Sequence, residues 1–290
     1  MLRRSVLGEP GRTAGKPLAQ GAGWSVIDVV CTLGPQDRPF EERHAGVSVG
    51  IVLAGTFQYR SARGRELLTP GSLLLGNDRQ SFECGHEHAA GDRCVAFHFS
   101  PEYFEQIAAE LGARRLAFPV SRIPPLAELA QINATAAAAA LGAADVAWDE
   151  IGIVLAARAI RLAHALSDRD VRVLPAAEAR VAQSVRAIEQ GSSARLSLAG
   201  LAAEAGLSPF HFLRTFQRIT GVTPHQFILR TRLREAATRL VTESTKVAEI
   251  AFAAGFGDLS NFNHAFRAEF GVSPRGFRDR ADAPRTRAVT

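Results

Sequence analysis

The sequence predicts an α+β multidomain chain, with an N-terminal sandwich or barrel of short strands, a helical segment behind it, and an all-α C-terminal domain. Three observations predict it. Short apolar runs punctuated by Gly and Pro occupy residues 24–100, the pattern turns helical and alanine-rich after residue 101, and one two-helix pattern occurs twice beyond residue 196. At 290 residues, 47% hydrophobic and 22% charged, the chain can bury two separate cores and is neither disordered nor fibrous.

Residues 1–23 are rich in Gly, Pro and Arg with no apolar period, and are expected to form a flexible tail. Arg3 and Arg4 are followed by no apolar stretch, and the later alanine-rich run of 134–141 stops at Asp145. Neither a signal peptide nor a membrane span is therefore expected. Cys31, Cys84 and Cys94 make an odd count with no CxxC pair, which indicates neither a disulfide framework nor a zinc ribbon and suits a reducing cytoplasm.

The strand region reads as WSVIDVVCTL, VSVGIVLAG, TFQYRS, SLLLG after Pro70-Gly71, and RCVAFHFS. In the last of these, Val95, Phe97 and Phe99 share one face while Cys94, Ala96 and His98 share the other. His98, on the reverse face of an apolar strand, is expected to be a hydrogen-bonded structural histidine. The run 148–166 is a helix carrying Ile151, Val154, Leu155, Ile160 and Leu162 amid Glu150, Arg158 and Arg161. Its apolar face needs a cover, which is either the strand domain or the same helix in a second copy. Residues 169–175 read as a short linker, and from Glu178 onward everything is helix, turn and cap.

The charge is distributed unevenly. Residues 176–290 hold 16 Lys+Arg and 10 Asp+Glu, a net +6, whereas residues 1–175 are at −1. The positive excess lies where a polyanion would dock.

The C-terminal repeat is explicit. Leu198, Leu201, Gly206 and Leu207 align with Val247, Ile250, Gly255 and Phe256 at an offset of 49. After one extra residue, Gly257, the offset is 50: Ser208 with Asp258, Phe212 with Phe262, Phe216 with Phe266, the run GVTP (221–224) with GVSP (271–274), and Phe227 with Phe277. Each unit is a short helix ended by a glycine, then an N-cap residue and a second helix pinned by two phenylalanines four apart. That is a helix-turn-helix, whose second helix presents its N-terminal half to base edges in the major groove.

Counting from the caps, the outward positions are Pro209, Phe210, His211 and Arg214 in the first unit, and Leu259, Ser260, Asn261 and His264 in the second. A guanidinium at 214 suits guanine O6 and N7, with a phosphate contact or a solvated charge as the alternative. Phe210 or Leu259 suits a thymine methyl. Asn261 suits an adenine edge, or else caps its own helix.

SPFHFLRTFQRITGVTPHQFI, LRTRLREAATRLV and AEIAFAAGFGDLSNFNHAFRAEFGVSPRGFR together resemble the DNA-binding domain of the AraC/XylS family over about residues 177–279. The resemblance implies a joining helix at 225–241, a base-reading role for Arg214, and a second half-site in which His264 stands where the family often has an arginine or another polar residue. The order of strands, with the run HAG at 44–46 and LLTPGSLLLG, resembles that family's cupin-like sensor domain, which implies a β-barrel with a small effector. The implied organisation is a flexible tail at 1–23, a cupin-like effector-sensing domain at 24–118, a helical linker and dimerisation region at 119–173, the DNA-binding domain at 176–280 and a tail at 281–290. The implied partners are double-stranded operator DNA, a small-molecule effector, a second copy of the chain and, for an activator, RNA polymerase.

SFECGHEHAAGDRC carries Cys84, His86 and His88 in alternation, with His44 on another strand, and these four are the candidate metal ligands. A His-rich turn is also ordinary polar surface, so the expectation is a regulator with no cofactor. Three classes stay open: an effector-responsive transcription regulator, a cupin-type metal enzyme fused to a DNA-binding domain, and a regulator driven by protein contacts or cysteine redox chemistry. No P-loop, dinucleotide fingerprint or nucleophile elbow occurs in the sequence, and the first class, with no enzyme activity, is the reading adopted.

Overall fold

A computed structural model describes residues 11–88, 90–113, 116–166, 174–192 and 196–282. Nine strands occupy the first hundred residues: β1 (Thr13–Gly21), β2 (Trp24–Cys31), β3 (Phe40–Arg43), β4 (Val47–Gly55), β5 (Phe57–Ser61), β6 (Gly64–Leu68), β7 (Leu73–Gly76), β8 (Ser81–Gly85) and β9 (Asp92–Phe99). A two-residue strand, β10 (Arg122–Ile123), joins them later. They form a six-stranded sheet in the order β1-β2-β9-β4-β7-β10 and a four-stranded sheet in the order β3-β8-β5-β6, and all the pairings are antiparallel.

The alternation in β9 sorts these layers. Val95, Phe97 and Phe99 point from the larger sheet onto helices α1 (Pro101–Glu110), α2 (Ala130–Ala140) and α3 (Trp148–Ala165), forming a core with Phe104, Leu155 and Ile160. Cys94 points the other way, into a second core between the sheets with Val52, Phe57, Tyr59, Leu68 and Cys84. The central strands of the larger sheet are thus covered on both faces, which is why β4 reads as a nearly continuous apolar run. Helix α3 lies on this sheet with Gly152 against Phe97 and Phe99, while Ile153 and Val154 remain exposed on its outer side.

The expected flexible tail is corrected over residues 13–21. They form β1, paired with β2 from Thr13 opposite Cys31 to Gly21 opposite Trp24. As an edge strand it is held by backbone hydrogen bonds with mostly exposed side chains, and a register shift falls between Pro17 and Ala19, so it carries no apolar period to read. The remainder of that tail, residues 1–10, lies outside the described residues, as do 167–173 of the expected linker and 283–290 of the C-terminal tail. His98, expected to be hydrogen-bonded, is half-buried opposite Ser48 with no hydrogen bond to its ring among the described residues.

Seven helices complete the chain: α4 (Pro175–Gln190), α5 (Leu198–Glu204), α6 (Pro209–Thr220), α7 (Pro224–Thr242), α8 (Val247–Ala253), α9 (Leu259–Phe270) and α10 (Pro274–Asp282). No helix among the described residues is long and apolar enough to cross a membrane.

Candidate nucleic-acid interface

Helix α6 starts where Ser208 places its Oγ 3.3 Å from the His211 amide, which donates to it, and Pro209 fills the first turn, where no amide hydrogen is needed. It ends at Gly221, whose φ of +83° takes the left-handed conformation. Phe212 and Phe216 are fully buried, with ring centroids 5.6 Å apart, and Phe227 of α7 meets Phe216 edge-on at 5.7 Å. With Leu201, Ile219 and Val222, and with Val181, Val185 and Ile188 of α4, they make the core of the first unit.

That buried stripe turns Pro209, Phe210, His211 and Arg214 outward, and all four are exposed. Phe210 is 68% exposed, a large apolar side chain left in solvent beside a cation. The Arg214 guanidinium lies 5.7 Å from its ring centroid, within cation–π range, so the two form one composite surface.

Helix α9 repeats the scheme with other chemistry. The Asp258 carboxylate accepts from the Asn261 amide at 2.6 Å, and Gly271 closes the helix at a φ of +74°. Capping therefore belongs to Asp258, and the Asn261 side chain is exposed. Leu259, Ser260, Asn261 and His264 are all exposed, over a core of Phe256, Phe262, Phe266 and Phe270 with Phe277 packed beside it. Gln217 and Arg218 on α6, and Arg267 on α9, extend the exposed faces by one turn. Counting one further helical turn in the sequence would have found them.

Between the two units runs α7, whose 19 residues span about 28 Å. Its start is fixed by a capping box, in which Thr223 Oγ1 accepts from the Gln226 amide while the Gln226 side chain accepts from the Thr223 amide.

The recognition helices meet the N-terminal region at their C-terminal ends. Arg122 donates to the Thr220 carbonyl at 3.1 Å, and Pro124 lies so close to Gly221 that a Cβ there would sit 2.4 Å from its ring. Arg230 of α7 donates to the Pro125 carbonyl at 2.7 Å and pairs with Glu269 of α9 at 3.1 Å. Arg65 of β6 holds the buried Glu178 of α4 at 2.7 Å and also pairs with Glu87 at 2.9 Å, and His88 Nε2 stands 4.0 Å from Glu178. The N-terminal halves of α6 and α9 are left open to solvent.

A cavity of about 330 Å³ opens at this junction, between Val52, Leu53 and Ala54 of β4, Asn133 and Ala137 of α2, and Thr231 and Arg234 of α7. Asn133 donates to the Gly71 carbonyl at 2.9 Å while its Oδ1 finds no protein partner. The space between the two sheets is packed with Phe57, Tyr59, Cys84 and Cys94.

The four candidate metal ligands are dispersed. His44 is hydrogen-bonded to Tyr59 Oη and Ser48 Oγ, each at 2.9 Å, and stacks on Phe82. Burial, and then the charge of His98, lower its pKa to about 4. Cys84 sits in the inter-sheet core, where burial pushes its thiol up, and His88 faces Glu178. Among the described residues, His86 alone of these four belongs to a group with converging donors, and its partners there are Cys31 and Asp92.

Residues 201–280 match the family model for a helix-turn-helix domain, and residues 33–144 match that for an AraC-like ligand binding domain. The chain is 39% identical over 88 residues to the probable transcriptional regulator LumQ of Photobacterium leiognathi, covering 30% of this chain and 35% of that protein. It is 35% identical over 91 residues to the transcriptional activator AarP of Providencia stuartii, covering 31% of this chain and 67% of AarP. Among solved structures, the DNA-binding domain of AdpA in complex with a target DNA is similar at 30% identity, covering 37% of this chain and 97% of that one, with a TM-score of 0.35. Fold and repeat thus define a two-domain protein with a tandem helix-turn-helix. The chain belongs to the AraC/XylS family. It spans about a third of the length of LumQ, and the match to AarP likewise covers under a third of this chain.

Proposed function

We propose that the chain is a sequence-specific DNA-binding regulator of transcription rather than an enzyme, acting in the cytoplasm on double-stranded operator DNA. The observation that carries this reading is the duplicated exposed face. Phe210, His211 and Arg214 on α6, and Ser260, Asn261 and His264 on α9, project from the N-terminal halves of two helices whose other sides are sealed by phenylalanine cores. The length of α7, with the offsets of the recognition helices added, suits successive major grooves about 34 Å apart. Arg214 reads a guanine edge with Phe210 against a neighbouring thymine methyl, while Ser260, Asn261 and His264 make a neutral, hydrogen-bonding second half-site.

The N-terminal domain senses a small effector and transmits it through the contacts at Thr220, Gly221 and Glu178. A second copy pairs through the outer side of α3, where Ile153 and Val154 are exposed. RNA polymerase is a partner if the regulator activates.

Selecting duplexes from a random pool with the full chain tests the reading. The expected product is a bipartite site with its two parts one helical turn apart, bound with an affinity that falls steeply as salt rises. Recovery of no common sequence, or binding indifferent to salt, would overturn it. Sedimentation at tens of micromolar tests the dimer, for which a monomer is the refuting outcome.

A further inference from the structure

Strand register brings the buried Cys31 to His86, 55 residues further along the chain, and to Asp92. β2 and β9 pair with Cys31 opposite Asp92, so the thiol and the carboxylate leave the sheet on the same face. His86 follows β8 and completes the group. Its Nε2 lies 2.6 Å from Asp92 Oδ1, and its Nδ1 lies 4.0 Å from Cys31 Sγ. One donor atom from each residue lies within 4.8 Å of the others, and all three residues are buried. Cys94, on the same face of β9, donates its thiol to Asp92 Oδ2 at 3.4 Å, and Thr13 of β1 donates to Cys31 Sγ at 3.6 Å.

We propose that Cys31, His86 and Asp92 form a binding site for a divalent metal ion of the Zn²⁺ class, with the fourth position left to a water or another small ligand. Sulfur, imidazole and carboxylate together suit a borderline ion with four-coordinate geometry, whereas oxygen-seeking Mg²⁺ or Ca²⁺ would be poorly served by thiolates. Bond lengths of about 2.0–2.3 Å place donors on one ion about 3.3–3.8 Å apart, against 4.0 Å from Cys31 Sγ to His86 Nδ1 and 2.6 Å from His86 Nε2 to Asp92 Oδ1, so closing on an ion requires small shifts of these side chains. Burial disfavours the charged imidazole, but its hydrogen bonds to Asp92 and Cys31 outweigh that and raise its pKa to about 9.

His86 is followed directly by Glu87, paired with Arg65, and by His88, beside Glu178 of α4. An ion held by His86 would tie down the residues next to those that touch the DNA-binding domain. In that sense the proposal deepens the sensor reading by naming a class of effector, and it rests on that reading only for the signal, not for binding.

The test is titration of the reduced, chelator-treated full chain with Co²⁺, followed by displacement with Zn²⁺. The expected result is one ion per chain, a thiolate-to-cobalt charge-transfer band in the near ultraviolet, and visible absorption of tetrahedral strength. Cys31→Ala should abolish the band, and Asp92→Asn should weaken binding by at least about 10-fold, the least that loss of an outer-shell partner of a metal ligand costs. Cys84→Ala, outside the group, should leave both unchanged. Thermal unfolding of each variant without metal separates loss of a ligand from loss of the fold, because a folded Cys31→Ala chain that still shows the band overturns the site. Weak octahedral absorption without the charge-transfer band overturns it too. Salt-dependent binding to DNA is measured separately on the same preparation, so a chain that binds DNA but no cobalt refutes the metal site and leaves the regulator reading standing.

Discussion

The two helix-turn-helix units share a scaffold and differ in what they show to solvent. Both have an N-cap, two phenylalanines four apart, and a left-handed glycine at the end of the second helix. The first presents a guanidinium over an exposed phenyl ring, whereas its counterpart presents an amide, a hydroxyl and an imidazole, with its cation one turn later at Arg267. Their supports differ as well. The first unit shares its core with α4 and with Leu67 of the sensor domain, and the second with Ala130 of α2 and with Phe277 of α10. The two units share the positions that fold them and differ at the exposed positions of their second helices.

The largest expected effect tests the shared scaffold. Phe216→Ala and Phe266→Ala each remove a fully buried ring and should destabilise the C-terminal domain by about 3–5 kcal/mol in denaturant unfolding. A loss below about 1 kcal/mol in either unit would break the equivalence.

Next comes the difference in reading. Arg214→Ala should weaken operator binding by about 1–3 kcal/mol while leaving random duplex nearly unaffected, and His264→Ala should cost less, since imidazole offers no charged fork. Paired titrations at one salt concentration decide the matter. An equal loss on both duplexes would make Arg214 a phosphate clamp.

A smaller change concerns Arg267, whose position past the base-reading turn suits a phosphate. Arg267→Ala should weaken all duplexes alike and lower the slope of log affinity against log salt by about 1. Selective loss at the operator would instead give the second unit its own reading arginine.

The smallest concerns the caps. Asp258→Ala should cost more than Ser208→Ala, both within about 0.5–2 kcal/mol by thermal unfolding, because a carboxylate at 2.6 Å from a helix N-terminus also meets the positive end of the dipole.

The C-terminal domain is legible in the sequence because each repeated residue serves a local purpose, as a cap, a turn glycine or a ring at helical spacing. The eight outward positions follow from counting, and all are exposed. The N-terminal half is legible only where both faces of a strand are covered. β1 escapes a sequence reading because its side chains face solvent, and β3, β6 and β8 because four or five residues with polar members carry little period. Cys31 cannot be joined to His86 and Asp92 by spacing, since its place beside them depends on the register of β2 against β9. The Arg65–Glu178 pair spans 113 residues for the same reason, being a property of how the domains sit together.

The contact at the end of α6 carries a thermodynamic obligation. Gly221 is constrained twice, by its left-handed backbone and by Pro124 against its α-carbon, and the preceding carbonyl is held by Arg122. Any ligand of the N-terminal domain that changes this grip alters the affinity of α6 for its groove by some factor. Reciprocity then requires DNA to alter the affinity for that ligand by the same factor, whichever binds first. On the proposed function, the operator would itself act as an effector of the N-terminal domain, and a ligand-binding isotherm measured without DNA would report only half of the cycle.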